Sequence, residues 1–173
     1  MKAKLPYLVV SALVLALDQW SKLLVKKHLA LYEVYPVIPE LLNMTHVKNT
    51  GVAFGMLAAH GDRFGTFLLI GLGLVALTFV GLYFHWTPAS DRMLLCALAL
   101  VVGGAIGNLI DRVQQGSVTD FIDFYYGTYH WHTFNVADSA ISVGIGLMLL
   151  SSLLAPSVEE ATDGDGETRE ADA

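Results

Sequence analysis

Phe134-Asn135-Val136-Ala137-Asp138-Ser139-Ala140-Ile141-Ser142-Val143-Gly144-Ile145-Gly146-Leu147-Met148-Leu149-Leu150 opens an apolar stretch, about 134–155, that would dissolve in lipid but for a carboxylate one turn from its start. A helix needs about 20 such residues to cross a hydrocarbon core of about 30 Å. The stretch therefore predicts a membrane helix, and Asp138 inside it carries a penalty of about 2.5–3.5 kcal/mol on insertion scales. A residue kept against that penalty calls for a function, and catalysis is the favoured one.

Working outward, three further stretches have the same length and character, at about 6–25, 64–85 and 93–110. Residues are 54% hydrophobic and 15% charged, far from a soluble domain. The chain reads as a membrane protein whose four spans return both termini to one side. Lys2 and Lys4 precede the first stretch as in a secretory leader, but Leu17-Asp18-Gln19-Trp20 offers no small-residue cleavage site, so that helix is expected to be retained.

The net charge of −6 belongs to the end of the chain, where 159–173 hold seven acids and one base, Arg169. The remainder is neutral, which argues against a nucleic-acid partner. Residues 1–157 are expected to form one membrane domain. The acidic 158–173 tail, without aromatics, is expected to be disordered. Cys96, the only cysteine, excludes an internal disulfide and a Cys-rich metal site, and reads as a small core residue.

Between the first two spans, the loop region of about 29–62 alternates over Met44-Thr45-His46-Val47-Lys48 and turns at Asn49-Thr50-Gly51. That pattern predicts a small β element, followed by a short amphipathic piece. The connection at about 111–133 gathers Phe121, Phe124, Tyr125, Tyr126, Tyr129 and Trp131, as expected of a segment resting at headgroup level.

Alternating spans bring Asp18 and Lys22, Asn49 and Gly51, Asn108, Asp111 and Arg112, and Asn135 and Asp138 to one end of the bundle. Asn135, Asp138, Ser142 and Gly146 fall on one helical stripe, expected to face the interior, and Gly103, Gly104 and Gly107 predict a close helix contact. Asp18 and Lys22 are one turn apart and Asp111 adjoins Arg112, so these four are expected to neutralise one another as structural charges. Asp120, Asp123 and Asp138 have no such cation nearby in sequence. Two carboxylates in a small dry site cannot both ionise cheaply, and one holding a proton beside one ionised is the arrangement that hydrolyses a peptide bond. Spacing leaves the partner of Asp138 open between Asp120 and Asp123. His130-Trp131-His132 lacks a third nearby metal ligand, and the serines of the last span lack a His–acid relay.

Five ordered motifs give the chain a resemblance to the lipoprotein signal peptidases, the signal peptidase II family of intramembrane aspartic proteases. They are Asp18-Gln19-Trp20-Ser21-Lys22, Asn49-Thr50-Gly51-Val52-Ala53-Phe54-Gly55, Gly103 to Arg112, Val118-Thr119-Asp120-Phe121 and Phe134 to Ala140. Val52 stands where the family commonly has Ala. The resemblance implies four transmembrane helices with a small extracytoplasmic β cradle and a short amphipathic helix. It implies Asp120 with Asp138 as the catalytic pair, and Asn49, Gly51, Asn108, Arg112 and Asn135 as residues that line or orient the site. Asp18 and Asp111 match its remaining polar motif positions. It also implies cleavage of diacylglyceryl-modified prolipoproteins on the amino side of the lipid-bearing cysteine, without metal or other cofactor. The expected form is a monomer among the lipids of a bacterial inner membrane, with both termini cytoplasmic and the site near the outer face. Charge bias does not decide that orientation, because Lys2, Lys4 and Arg92 are opposed by Lys26, Lys27, Lys48 and Arg63. A small transporter or proton pathway, and a non-catalytic assembly subunit, are the competing readings.

Overall fold

The computed structural model describes residues 2–51 and 62–154. The amphipathic piece expected before the second span, Val52 and the acidic tail lie outside the described residues.

Four helices are long and apolar enough to cross a membrane: α1 (Leu5–His28), α2 (Asp62–Trp86), α3 (Arg92–Gln115) and α4 (Val136–Leu154). Their ends follow from local chemistry. Pro6 occupies the first turn of α1, where a missing N–H costs nothing. Asp91 caps α3 by accepting from the Leu94 N–H at 3.1 Å. Gly116 then stops α3 with φ of 73°, a left-handed turn that a side chain would resist. Lys4 donates to the Phe84 and His85 carbonyls at 2.7 and 2.6 Å, tying the start of α1 to the last turn of α2.

The central helix is α3, which packs against each of the other three. Its buried residues Leu95, Ala97, Leu98 and Ala99 form the apolar core, while large apolar side chains such as Phe67, Phe79 and Leu153 point outward, as lipid solvent permits. The glycine expectation holds. A Cβ at Gly104 would strike the Ala137 carbonyl of α4, and one at Gly107 would come within 2.5 Å of the Asp18 carboxylate of α1.

The interior stripe on α4 is different from the expected one. Ala137 and Gly144 are buried against α3, whereas Ser142 and Gly146 are exposed and Asp138 is half-buried. The smallest residues at the contact decide which face closes: a Cβ at Gly144 would lie 2.7 Å from the Ala97 carbonyl, and nothing lies within 4 Å of one at Gly146. Asp138 is thereby turned to the side of the packing seam, where it meets a groove. Cys96 is half-buried in α3, about 18 Å of helix from Asn108.

A four-stranded antiparallel sheet sits at one end of the helices, in the order β1 (Val34–Ile38), β2 (Leu42–Asn49), β3 (Val118–Tyr126), β4 (Tyr129–His130). The second loop is thus more regular than its aromatic content suggested. Residues 118–126 form a strand that pairs with β2, with Val47 opposite Asp120 and Asn49 opposite Val118. Tyr126, Tyr129 and Trp131 remain well exposed on its hairpin.

Candidate active site

Asp120 enters the site on β3, which leaves α3 through Gly116. The strand start is pinned by Asp111, whose carboxylate accepts the Thr119 N–H at 3.0 Å. Asp120 is 2% exposed and accepts Asn49 Nδ2 at 2.8 Å and Asn135 Nδ2 at 2.7 Å. Asn49 is aimed by its own turn: its Oδ1 accepts the Gly51 N–H at 2.8 Å, and Gly51 holds φ of 71°. Burial, opposed first by the Asn49 hydrogen bond and reinforced by the charge of Asp138, pushes the Asp120 carboxyl up to about 6.

Asp138 stands in the first turn of α4 in a reciprocal cap. Asn135 Oδ1 accepts the Asp138 N–H at 3.0 Å, and the Asp138 carboxylate accepts the Asn135 N–H at 3.3 Å. Its other oxygen accepts Asn108 Nδ2 at 2.7 Å. One Asn135 side chain therefore serves both aspartates, capping the helix that carries Asp138 with its oxygen and donating to Asp120 with its nitrogen. Asn135 is fully buried. Asn-x-x-Asp before an apolar run is a legible helix-start signal.

Beneath this pair lies an ionic cluster. Lys22, 1% exposed, reaches Asp18 at 2.8 Å and Asp111 at 3.3 Å, and donates to Asn108 Oδ1 at 3.0 Å. Asp18 in turn accepts the Ala137 N–H at 3.0 Å. Arg112 departs from the expected four-charge group: its Nη1 reaches only the Asn108 carbonyl, at 3.4 Å. Neighbouring side chains on a helix diverge, so Asp111 turns inward to Lys22 while Arg112 lies within electrostatic reach of Asp138 and Asp120.

Asp123 points elsewhere. It is buried, accepts Asn43 Nδ2 at 2.9 Å, and pairs with His130 Nδ1 at 2.9 Å. Its odd spacing from Asp120 on one strand turns it to the opposite face. The two histidines of the aromatic run likewise part company: His130 faces Asp123, and His132 lines two adjoining grooves. One groove, about 390 Å³, borders Asp120, and the other, about 490 Å³, borders Asp138; Asn49 and Thr133 line both.

The family model described as signal peptidase II matches residues 10–154. The chain belongs to the signal peptidase II family. Among similar proteins are the lipoprotein signal peptidase of Solibacter usitatus, 44% identical over 144 residues covering 83% of this chain and 88% of that one, and that of Yersinia enterocolitica, 41% identical over 158 residues covering 91% and 92%. A solved structure described as a bacterial membrane enzyme superposes with a TM-score of 0.71 at 31% identity, covering 87% of this chain and 94% of that one. A second with the same description gives 0.69 at 30% identity, covering 95% and 94%. This family member is thus a multi-pass bacterial membrane peptidase, with four helices among the described residues that can span the bilayer and an antiparallel sheet at one end.

Proposed function

We propose that this family member works as an aspartic endopeptidase whose reacting pair is Asp120 and Asp138. The activity is removal of signal peptides from lipoproteins. The proposed cut is on the amino side of a diacylglyceryl-bearing cysteine. The observation that carries the reading is the shared Asn135: two carboxylates from different elements are held by one amide, with no cation bonded to either among the described residues, and one of them is pushed up to about 6.

Asp138 takes a proton from a water molecule as the oxygen attacks the scissile carbonyl carbon. Asp120, carrying the shared proton, donates it to the carbonyl oxygen as negative charge develops there. Collapse of the tetrahedral intermediate breaks the C–N bond. The proton held by Asp138 passes to the leaving nitrogen, and the intermediate's hydroxyl returns one to Asp120. The pair ends as it began. Asn49 and Asn108 orient the two carboxylates, Gly51 fixes Asn49, and Arg112 steadies the developing charge. The grooves flanking the pair receive the peptide, with Tyr129 and Trp131 on the hairpin resting at the membrane surface and the substrate's acyl chains left in the bilayer.

In this reading the enzyme acts as a monomer among membrane lipids, both termini are cytoplasmic, and the sheet lies at the outer face. Residues 1–157 form the working domain, with 158–173 an appended acidic tail. A transporter fits less well, because Asp18, Asp111, Asp120 and Asp138 gather at one end of the bundle instead of forming a path across it.

Cleavage of a diacylglyceryl-modified prolipoprotein by the purified protein, wild type against Asp120→Asn and Asp138→Asn, tests the assignment. Each exchange should cut the rate by about 10²–10⁴ or more while the protein stays folded. A folded Asp138→Asn variant with the wild-type rate overturns the pair.

A further inference from the structure

A groove of about 500 Å³ runs between the start of α2 and the end of α3, beside the Asp120 and Asp138 pair and touching the active site through Arg112. Lys48, Arg112 and Ser117 line its polar side, and Phe67, Ile70 and Val113 its apolar side. Two of its polar atoms, Arg112 Nε and Ser117 Oγ, are buried with no hydrogen-bond partner among the described residues. Ser117 is only 4% exposed. An unmet buried donor is costly, and each one calls for an explanation, of which a bound ligand that accepts from it is one. Lys48 has no ion-pair partner among the described residues.

Two cations with a buried hydroxyl suit a singly charged phosphate diester. The ends of α2 and α3 that frame the groove are span ends, where lipid headgroups lie. Phe67 and Val113, 70% and 65% exposed, continue it toward hydrocarbon. We propose that this groove binds one anionic phospholipid, its phosphate held by Lys48, Arg112 Nε and Ser117 Oγ and an acyl chain lying along Phe67, Ile70 and Val113. The substrate's diacylglyceryl group is uncharged and would leave Lys48 unmatched, so a phospholipid is the better occupant. Binding is independent of the Asp120 and Asp138 assignment. The lipid would sit beside Asn49 and share Arg112 with the site, so that catalysis in a bilayer depends on anionic lipid.

The test uses full-length protein in nanodiscs of phosphatidylcholine alone or mixed with phosphatidylglycerol. Native mass spectrometry reads the retained lipid, and thermal unfolding reads the fold. One phosphatidylglycerol should stay bound where phosphatidylcholine does not. Ser117→Ala and Lys48→Gln should each weaken retention at least about tenfold, the loss expected of a hydrogen bond to a charged group, without lowering the unfolding temperature. Inorganic phosphate added in detergent should not protect the protein, since it lacks the tail. Equal retention of the two lipids, or wild-type retention by both variants, overturns the proposal; protection by phosphate alone would make this a free-anion site and overturn the lipid.

Discussion

Four carboxylates meet at one end of the bundle, and they are satisfied in two different ways. Asp18 and Asp111 share the Lys22 ammonium, and each also accepts one backbone N–H, from Ala137 and Thr119 respectively. Among the described residues, Asp120 and Asp138 are bonded only by amides, from Asn49, Asn108 and the side chain and backbone of Asn135. The N–H groups held by the ionic region belong to the residues immediately before Asp138 and Asp120. Fixed charges thus set the backbone from which the second pair projects, while amides make that pair's direct hydrogen bonds and the charges of Arg112 and Lys22 act on it through space. A salt bridge is a good clamp and a poor proton exchanger, and the molecule keeps the two jobs on separate residues.

Removing the clamp's cation should give the largest effect. Lys22→Met leaves Asp18 and Asp111 buried near each other without their cation, held by neutral donors alone, a change that costs about 3–5 kcal/mol in buried ion pairs. A large fall in unfolding temperature and loss of cleavage are expected. Adding Asp18→Asn and Asp111→Asn to Lys22→Met removes the net buried charge, so the triple variant should recover much of the stability and little of the activity. A stable, fully active Lys22→Met protein would break the distinction between clamp and pair.

Next in size is Asn135→Ala, which unties the two regions. It deletes a helix cap worth about 1 kcal/mol and the donor shared with Asp120. Stability should fall modestly and kcat should drop by about 10²-fold, since both carboxylates lose their common support. A change confined to KM would mean that Asn135 holds substrate instead.

The pair's proton also sets a pH profile. Asp120 lies above its ordinary 3.8, at about 6, so the neutral form needed to donate is present below that value and is lost as pH rises through it. The alkaline limb of kcat/KM, which reports the free enzyme, should bend near 6, and the limb of kcat should bend higher because bound substrate excludes water. Both bends belong to the coupled pair. A profile flat from pH 5 to about 8 would remove the shared proton from the mechanism.

The helices and their glycine contacts were legible in the sequence because lipid imposes a plain rule on composition, and Gly104 and Gly107 stand where two backbones meet. Strand β3 was not, since Phe121, Phe124 and Tyr125 serve a strand and a membrane-surface loop equally well, and its partner β2 lies across a whole helical hairpin. The α4 stripe misled because a helical wheel tracks polarity, whereas Ala137 and Gly144 win the interface by size. Lys22 sits between Asp18 and Asp111, and Arg112 turns away toward the groove, because tertiary direction outranks adjacency in sequence. Asp120 and Asp123 could not be told apart by spacing, and only the strand's alternation sends them to opposite faces.

That last division yields the smallest and sharpest prediction. Asp123 resembles the clamp carboxylates in having a basic partner, but the partner is His130, half-exposed and itself titratable, and Asn43 supplies a neutral donor. A pair whose basic partner is open to solvent contributes little, about 0–1 kcal/mol, and Asn in place of Asp123 can still accept from one of the two neighbours. Asp123→Asn should therefore cost under about 1 kcal/mol and leave cleavage within about threefold of wild type. His130→Ala should do the same. If Asp123→Asn instead abolishes cleavage in a folded protein while Asp120→Asn does not, the reacting carboxylate faces the hairpin, and the amide-held region is only a second clamp.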